Sequence, residues 1–412
     1  MKIFADLHIH SKYSRATSRE MDLEHLSEGA KTKGLNVLGT GDFTHPLWLK
    51  ELKSRLTFED DVYEYNGVKF IPTAEISLMY NQDKKMRKIH HLILAPDFEV
   101  VDQINDWLKT KGRLDYDGRP IFGMTSPELV ENIMSISKDI EIIPAHAWTP
   151  WFGIFGSMSG FDSVEECFLD QSKHIHALET GLSSDPAMNW RLSSLDKYTL
   201  ISNSDSHSPW PWRIGREANV FDLKKITYKK ILRSVRTKKN LLYTIEVDPA
   251  YGKYHIDGHR ACKVSMEPKE AMKNKNICPV CGRPLTIGVL HRVEELADRP
   301  EGFVPKGAVP FKSLIPLSEI ISSIYGLGLY TQTVKKRYYQ FIEKFGTEFS
   351  VLLDVEKERL AKVDDAVADV IISIREGKAK VKPGYDGVYG KLILEKKRVS
   401  KKRKESPLNK FL

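Results

Sequence analysis

Two histidines, His8 and His10, stand one residue apart where the apolar run Ile3-Phe4-Ala5-Asp6-Leu7 gives out. Side chains alternate across a strand, so both imidazoles leave the same face at its end. A pair of neutral imidazoles is half of a divalent-metal site and a poor filling for an apolar core. The same arrangement recurs along the chain. Asp42 in GTGDFTH, Glu75 in IPTAEIS, His91 in HHLILA, His146 in PAHAWTP, and Asp205 with His207 in SNSDSHSP each follow or end a short apolar run. Where parallel strands gather into one layer, their carboxyl ends form one rim, and residues placed there converge.

The elements that must carry these residues alternate from residue 1 to about 247. KIFADLHIH, NVLGTGD, VKFIPTAEI, IHHLILAP, IEIIPAHA, IHALET and YTLISNSD read as strands. LEHLSEGAKTKG, VDQINDWLKTKG and SPELVENIMSISKD read as helices between them, the last with Ser126 as N-cap and a proline after it. This alternation predicts an α/β barrel or a doubly wound sheet.

A chain of 412 residues implies two or three domains. Hydrophobic content of 41% and charged content of 29% describe a water-soluble protein. No apolar run approaches the roughly 20 residues of a membrane span, and the N-terminal stretch lacks a signal-peptide pattern. Both features predict a cytoplasmic protein without a membrane partner. Four cysteines are too few for a disulfide framework, and the net charge of +8 suits a polyanionic partner. Past residue 247 the pattern changes. Residues 248–300 hold His255, His259, Cys262, Cys278, Cys281 and His291 with little periodicity; residues 301–395 are expected to be largely helical; residues 396–412 form a basic tail.

The strand-end motifs resemble the PHP family over roughly residues 1–245. DLHIHSKYS is similar to its opening His-x-His motif, and SNSDSHSP to its closing Ser-Asp-x-His. The resemblance implies a distorted seven-stranded (β/α) barrel holding two or three divalent metals, zinc or manganese. His8, His10, Glu75 and Asp205 would take one metal; Glu75, His91 and His146 a second; Asp42 and His207 a third. Paired cations about 3.5–4 Å apart generate hydroxide and clamp both oxygens of a phosphoryl displacement, so these residues other than Asp42 are also the expected catalytic set. The family often has a further histidine where this chain reads Ser14-Arg15-Ala16, which leaves Arg15 as a phosphate-binding candidate. His25, His45, His174 and His176 are expected to be surface or core residues.

His259-x-x-Cys262 followed by Cys278-Pro-Val-Cys281-Gly resembles a structural zinc knuckle, with His291 and His255 as rivals of His259 for the fourth ligand. Cys167 is expected to be a buried thiol. Trp148, Trp151 and Phe152 follow His146, while Trp212 and Arg213 follow His207. Aromatics at a catalytic rim suit stacking on bases or wedging into a duplex. The PHP-like region, this module (DGHRAC…CPVCG), GVLHRVEELADRPEG and the helical segment closing in IREGKAKVKPGYDGVYG together resemble the endonuclease Q family over nearly the whole chain. That implies hydrolysis of the phosphodiester 5′ of uracil, hypoxanthine, xanthine and abasic sites, with the damaged base flipped into a pocket. The tail contains seven basic residues in 396–404 and then ESPLNKFL, where Leu408, Phe411 and Leu412 have the spacing of a PCNA-binding peptide. Two other functions compete: a PHP-type phosphatase acting on a small phosphate monoester, and a non-catalytic DNA-binding module recruited by the clamp.

Overall fold

The structure, a computed structural model, describes residues 1–393; the basic tail from 396 and the clamp-peptide residues Leu408, Phe411 and Leu412 lie outside the described residues. Strand β1 (Lys2–Asp6) pairs in parallel with β2 (Val37–Gly39), which pairs in parallel with β3 (Val68–Ile71). The next two strands depart from strand–helix alternation. β4 (Thr73–Gln82) and β5 (Lys85–Leu94) form an antiparallel hairpin whose two turn residues, Asp83 and Lys84, have φ of 52° and 61°. Two left-handed residues in succession match the right-handed twist of the flanking strands, so a tight two-residue turn closes the ladder. β6 (Glu141–Pro144) lies antiparallel to β5; β7 (Ala177–Glu179) pairs in parallel with β8 (Thr199–Ile201); β9 (Ala218–Asp222) runs antiparallel to β1, with β10 (Leu241–Glu246) beside it. The result is an α/β fold.

The strands are apolar on both faces, as expected when each face is covered. Ile3, Ala5, Leu7, Val37, Ile71, Leu92, Leu94, Ile143, Ala177 and Ile201 form one buried cluster. Residues of the opposite parity, such as Leu38, Phe70, Ala74, Ile76, Ile93 and Ile142, join the larger cluster that includes the helix residues. Side-chain caps open several of the helices, three of which lie between these strands. Asp22 accepts from the His25 amide ahead of α1 (Leu23–Lys33), Asp97 from Val100 ahead of α2 (Phe98–Lys109), and Thr125 from Glu128 ahead of α3 (Ser126–Ile136). The cap of α3 is therefore Thr125 and not Ser126; Ser126 already has helical backbone, and its hydroxyl serves other partners.

The cysteine-rich segment contributes the antiparallel pair β11 (Asp257–His259) and β12 (Val264–Met266) and a core of only Met266, Ala271, Cys278 and Leu285. The chain then returns to the first sheet, where β13 (Phe311–Ser313) pairs in parallel with β10. It continues into helices that include α4 (Leu317–Tyr325), α5 (Gln332–Phe345) and α6 (Asp365–Arg375), and the described residues close with the antiparallel pair Lys380–Lys382 and Lys391–Ile393. This helical part is fastened to α1 by a buried ion pair: Lys33 Nζ lies 3.0 Å from Glu348 Oε1, and Glu348 also accepts from Tyr338 Oη (2.7 Å) and the Leu317 amide (3.0 Å). Both charges are shut off from water, so each is tolerable only because the other is present. No helix among the described residues is long and apolar enough to cross a membrane.

Candidate metal centre

Two groups of donor atoms meet where the segments following β1, β6 and β8 reach the β4–β5 hairpin, and Glu75 belongs to both; Glu75 and His90 lie within the hairpin strands, not at strand ends as the sequence suggested for Glu75. The first comprises His8, His10, Glu75 and Asp205; the second comprises Glu75, His90 and His146. Within each group the donor atoms lie within 4.8 Å of one another. Glu75 Oε2 is 3.3 Å from His10 Nε2 and 3.7 Å from His8 Nε2, while Oε1 is 2.6 Å from His90 Nδ1 and 3.0 Å from His146 Nε2. Asp205 Oδ1 is 3.0 Å from His10 Nε2 and 3.7 Å from His8 Nε2.

One expected residue is replaced. His91 points away from the site, with Nε2 2.9 Å from the Ser126 hydroxyl and its ring against Phe168, and His90 takes its place. The cause is strand parity. Glu75 pairs directly with Leu92 in the hairpin, so it shares a face with Leu92 and, two residues back, with His90; His91 shares its face with Ile93 and Ile89 in the outer core. Burial pushes His91 down to about 3 and His90 to about 4, although Glu75 pulls His90 the other way. Both are therefore neutral, and the His90 ring lies within hydrogen-bonding distance of Glu75.

The pair Asp42 and His207 is not brought together as a third site. Asp42 lies behind His10: its Oδ1 is 3.0 Å from His10 Nδ1, and its Oδ2 accepts from the Ser11 amide, the Ser11 hydroxyl and the Ser14 hydroxyl. This carboxylate is saturated by donors and orients His10. His207 packs its ring 4.5 Å from that of His10 and turns Nδ1 toward the Asp205 carbonyl, 2.9 Å away. It belongs to neither group.

Glu179 is the buried residue that sequence reasoning missed. Its two oxygens lie 3.0 and 3.1 Å from His8 Nδ1, and it accepts from the His146 amide (2.7 Å) and Asn203 Nδ2 (2.8 Å). It sits at the end of β7, the strand read from IHALET, so its place at a strand end was the available signal. Glu179 and Asp42 thus stand behind His8 and His10 as carboxylates that fix each ring and raise its basicity. Arg119, also missed, places Nη1 2.9 Å from Glu75 Oε2.

The chemistry of the donor set fits divalent cations. His8 Nε2 is buried, faces two carboxylates and has no hydrogen-bond partner among the described residues. Burial alone would raise the carboxyls of Glu75 and Asp205. It is outweighed in Glu75 by His90, Arg119 and His8, and in Asp205 by the His10 hydrogen bond and His8, so both stay ionised well below the usual range. His146, Asp205 and Asp42 all take left-handed backbone, with φ of 31°, 48° and 46°. Such conformations, unfavourable for residues other than glycine, persist where the surroundings hold them in place, as at active sites. Gly181 allows one of them, since a Cβ there would lie 2.6 Å from His146 Cβ.

A third cluster lies apart from these two: His259, Cys262, Cys278 and Cys281, with Cys281 Sγ 3.4 Å from His259 Nδ1. His291 is committed elsewhere, its Nδ1 2.5 Å from Asp257, and His255 is not in the cluster. Cys167 is fully buried, and that burial pushes its thiol up to about 12.

The aromatic candidates divide. Trp148 is core: it is 1% exposed and donates to Asn189 Oδ1. Trp212 is also buried, between Trp210 and Tyr338, where the 208–214 loop meets the helical part. Neither ring is on the surface, because each follows a ligand loop that turns into the protein. Trp151 is exposed and touches Tyr254 edge-on, and Phe152 packs on the His90 ring at 4.3 Å. Arg213 reaches Tyr330 Oη, and Arg15 is largely exposed beside Asp117.

An α/β fold that brings together two donor groups joined by a shared glutamate defines a metal-dependent hydrolase. Comparison with known proteins narrows the class. Residues 316–378 match the MJ0043 C-terminal domain family. The uncharacterized protein MJ0043 of Methanocaldococcus jannaschii is 34% identical over 272 residues, which cover 65% of this chain and 34% of that protein, so the match spans about a third of its length. The crystal structure of the lesion-specific endonuclease PfuEndoQ from Pyrococcus furiosus superposes with a TM-score of 0.87 at 35% identity, covering 96% of both chains. A complex of endonuclease Q with a 27-mer duplex substrate bearing an abasic lesion at the active site superposes at 0.85, again at 35% identity, over 96% of this chain and 97% of that one. The chain belongs to the endonuclease Q family.

Proposed function

We propose that this protein is a DNA repair endonuclease that hydrolyses the phosphodiester 5′ of deaminated bases and abasic sites, with the altered nucleotide turned out of the stack into a pocket. The observation that carries the reading is the convergence of the donor atoms of His8, His10, Glu75, His90, His146 and Asp205, in a chain matching endonuclease Q over nearly its whole length. One divalent ion, zinc or manganese, is assigned to His8, His10, Glu75 and Asp205, and a second to Glu75, His90 and His146. When bound, such ions supply Lewis acidity to the phosphate and a nucleophile at neutral pH.

The chain's own residues do the rest. Glu179 and Asp42 hold the His8 and His10 rings in register through Nδ1, leaving each Nε2 toward Asp205 and Glu75. Phe152 and the exposed Trp151 offer rings beside the second group for a base or a duplex edge. A base lacking a strong partner is the cheapest to unstack, which favours deaminated bases and abasic sites over intact pairs. The cluster of His259, Cys262, Cys278 and Cys281 suits one structural zinc, the helical C-terminal part a DNA-binding role, and the peptide with Leu408, Phe411 and Leu412 the sliding clamp PCNA.

The test is a panel of otherwise identical duplexes carrying one uracil, hypoxanthine, xanthine or abasic site, incubated with metal-loaded protein. Nicking on the 5′ side, abolished by chelation and by Asp205→Asn, is expected. Intact duplexes alongside hydrolysis of a small phosphate monoester would replace this reading with that of a phosphatase. Loss of PCNA binding on truncation after residue 404 tests the clamp peptide.

A further inference from the structure

We propose that Arg119 binds the phosphate that is cut, and that Asp117 positions it there. This rests on the reading of the site as a phosphodiesterase. Arg119 follows a short loop that crosses the site beside His10. Gly118 lies so close to Asp42 and Ser14 that a Cβ would come within 2.3 Å of Asp42 Oδ2 and 2.4 Å of Ser14 Oγ. Its amide donates to the Tyr13 carbonyl, and its own carbonyl accepts from Thr44 Oγ1. The loop can therefore occupy that position only with glycine at its centre, and this close approach delivers the next residue over the donor atoms. The Asp117 carboxylate is buried and bonded on several sides: Oδ1 accepts from the amides of Arg119 (3.2 Å) and Arg15 (3.3 Å), and Oδ2 is 3.4 Å from Arg15 Nε. One carboxylate thus sets the backbone of two arginines on one side of the centre.

The guanidinium of Arg119 is 28% exposed, and its ion-pair partner, Glu75, is the residue shared by both donor groups. A fixed positive charge at that point works against holding two dications, because like charges a few ångströms apart repel even at high effective dielectric. It does help hold an anion brought up to those cations, and a guanidinium matches two phosphate oxygens at once. Arg15, 73% exposed at its side chain, lies farther out and would meet a neighbouring phosphate.

Full-length protein with Arg119→Gln and Arg119→Lys is compared with wild type on a uracil duplex, with metal content and thermal stability measured on each. Arg119→Gln is expected to lower kcat/KM by about 10²–10³-fold, the usual effect of removing one donor to a developing oxyanion, at unchanged metal content. Arg119→Lys should recover part of the loss. A methylphosphonate at the scissile linkage should slow wild type strongly and Arg119→Gln little further. A second arm needs no cleavage: orthophosphate binding to the metal-loaded protein, read by calorimetry, should weaken about 10–100-fold, as for loss of a charged hydrogen bond. Wild-type kcat in Arg119→Gln, recovery of its activity by added metal alone, or equal orthophosphate affinity would each overturn the proposal and leave Arg119 as a counterion of Glu75. A wild type that binds orthophosphate through Arg119 yet leaves DNA intact would instead count against the endonuclease reading.

Discussion

His90 Nδ1 lies 2.6 Å from Glu75 Oε1, across a hairpin in which the neighbouring His91 faces the opposite way. The contact separates two adjacent histidines that are chemically identical. His90→Ala is expected to remove one catalytic metal per chain and to lower cleavage by at least the ~10²–10³-fold typical of losing one electrostatic participant. His91→Ala should keep full metal content and lose stability instead, about 1–3 kcal/mol, since it leaves the buried Ser126 hydroxyl short of a partner. Elemental analysis with a denaturation midpoint checks both. Metal loss confined to His91→Ala would reverse the assignment.

Glu179 touches no substrate, yet its removal should be felt at the metal. With both oxygens on His8 Nδ1, it keeps that ring in the tautomer that turns Nε2 to Glu75 and Asp205. Glu179→Gln is expected to weaken metal binding by about 10–100-fold, the range for partners standing behind a ligand. The activity of Glu179→Gln should return at high manganese concentration, whereas that of Asp205→Asn should not. Unchanged metal affinity in Glu179→Gln would remove Glu179 from this role.

How far the sequence disclosed this site follows from local physics. Residues that follow the end of a strand, such as His8, His10 and Asp205, were legible because apolar runs stop there and imidazoles or carboxylates begin. His90 was not, because β5 is buried on both faces. Its apolar residues occupy both parities, and only the pairing of Glu75 with Leu92 decides which histidine faces inward. Asp42 was placed at the right rim but in the wrong role, since its three Ser11 and Ser14 contacts depend on how a loop folds back over it. The β4–β5 hairpin was hidden for a related reason: Asp83 and Lys84 carry left-handed backbone without glycine or asparagine. Trp148 and Trp212 looked like surface wedges only because nothing local shows that their loops turn inward.

The cysteine module has almost no apolar core, and the ligand cluster is what can hold it together. Cys281→Ser and His259→Ala are each expected to lower the metal content by one zinc while leaving the catalytic metals in place, and to introduce an early thermal transition. His291→Ala should keep the zinc, because its Nδ1 is bonded to Asp257. A full zinc count in Cys281→Ser would dissolve the assignment.

Lys33 and Glu348 offer a test of how tightly the helical part is held. Lys33→Met strands a buried carboxylate, which should destabilise the protein by about 3–5 kcal/mol. The double variant Lys33→Met with Glu348→Gln should recover much of the loss, because no unpaired charge remains. Chemical denaturation of wild type, Lys33→Met, Glu348→Gln and the double variant gives the coupling directly; additive effects would show that the pair is not interacting.

His255 should govern part of the acid limb of stability. Burial pushes it down to about 4, with Asp248 pulling the other way, and its Nδ1 has no hydrogen-bond partner among the described residues. Its ordinary value is 6.5. Between those two values the unfolded chain takes up a proton that the folded chain refuses, so acid favours unfolding. The stability this neutral ring contributes is complete above pH 6.5 and is lost as the pH falls from there through 4. Replacing His255 by leucine removes the titration, so the melting temperature should fall less steeply over that interval than in wild type. The difference is best read as the two curves subtracted, since other groups titrate in both proteins alike. Parallel curves from pH 7 to 4 would mean that the folded protein accommodates the charged imidazole.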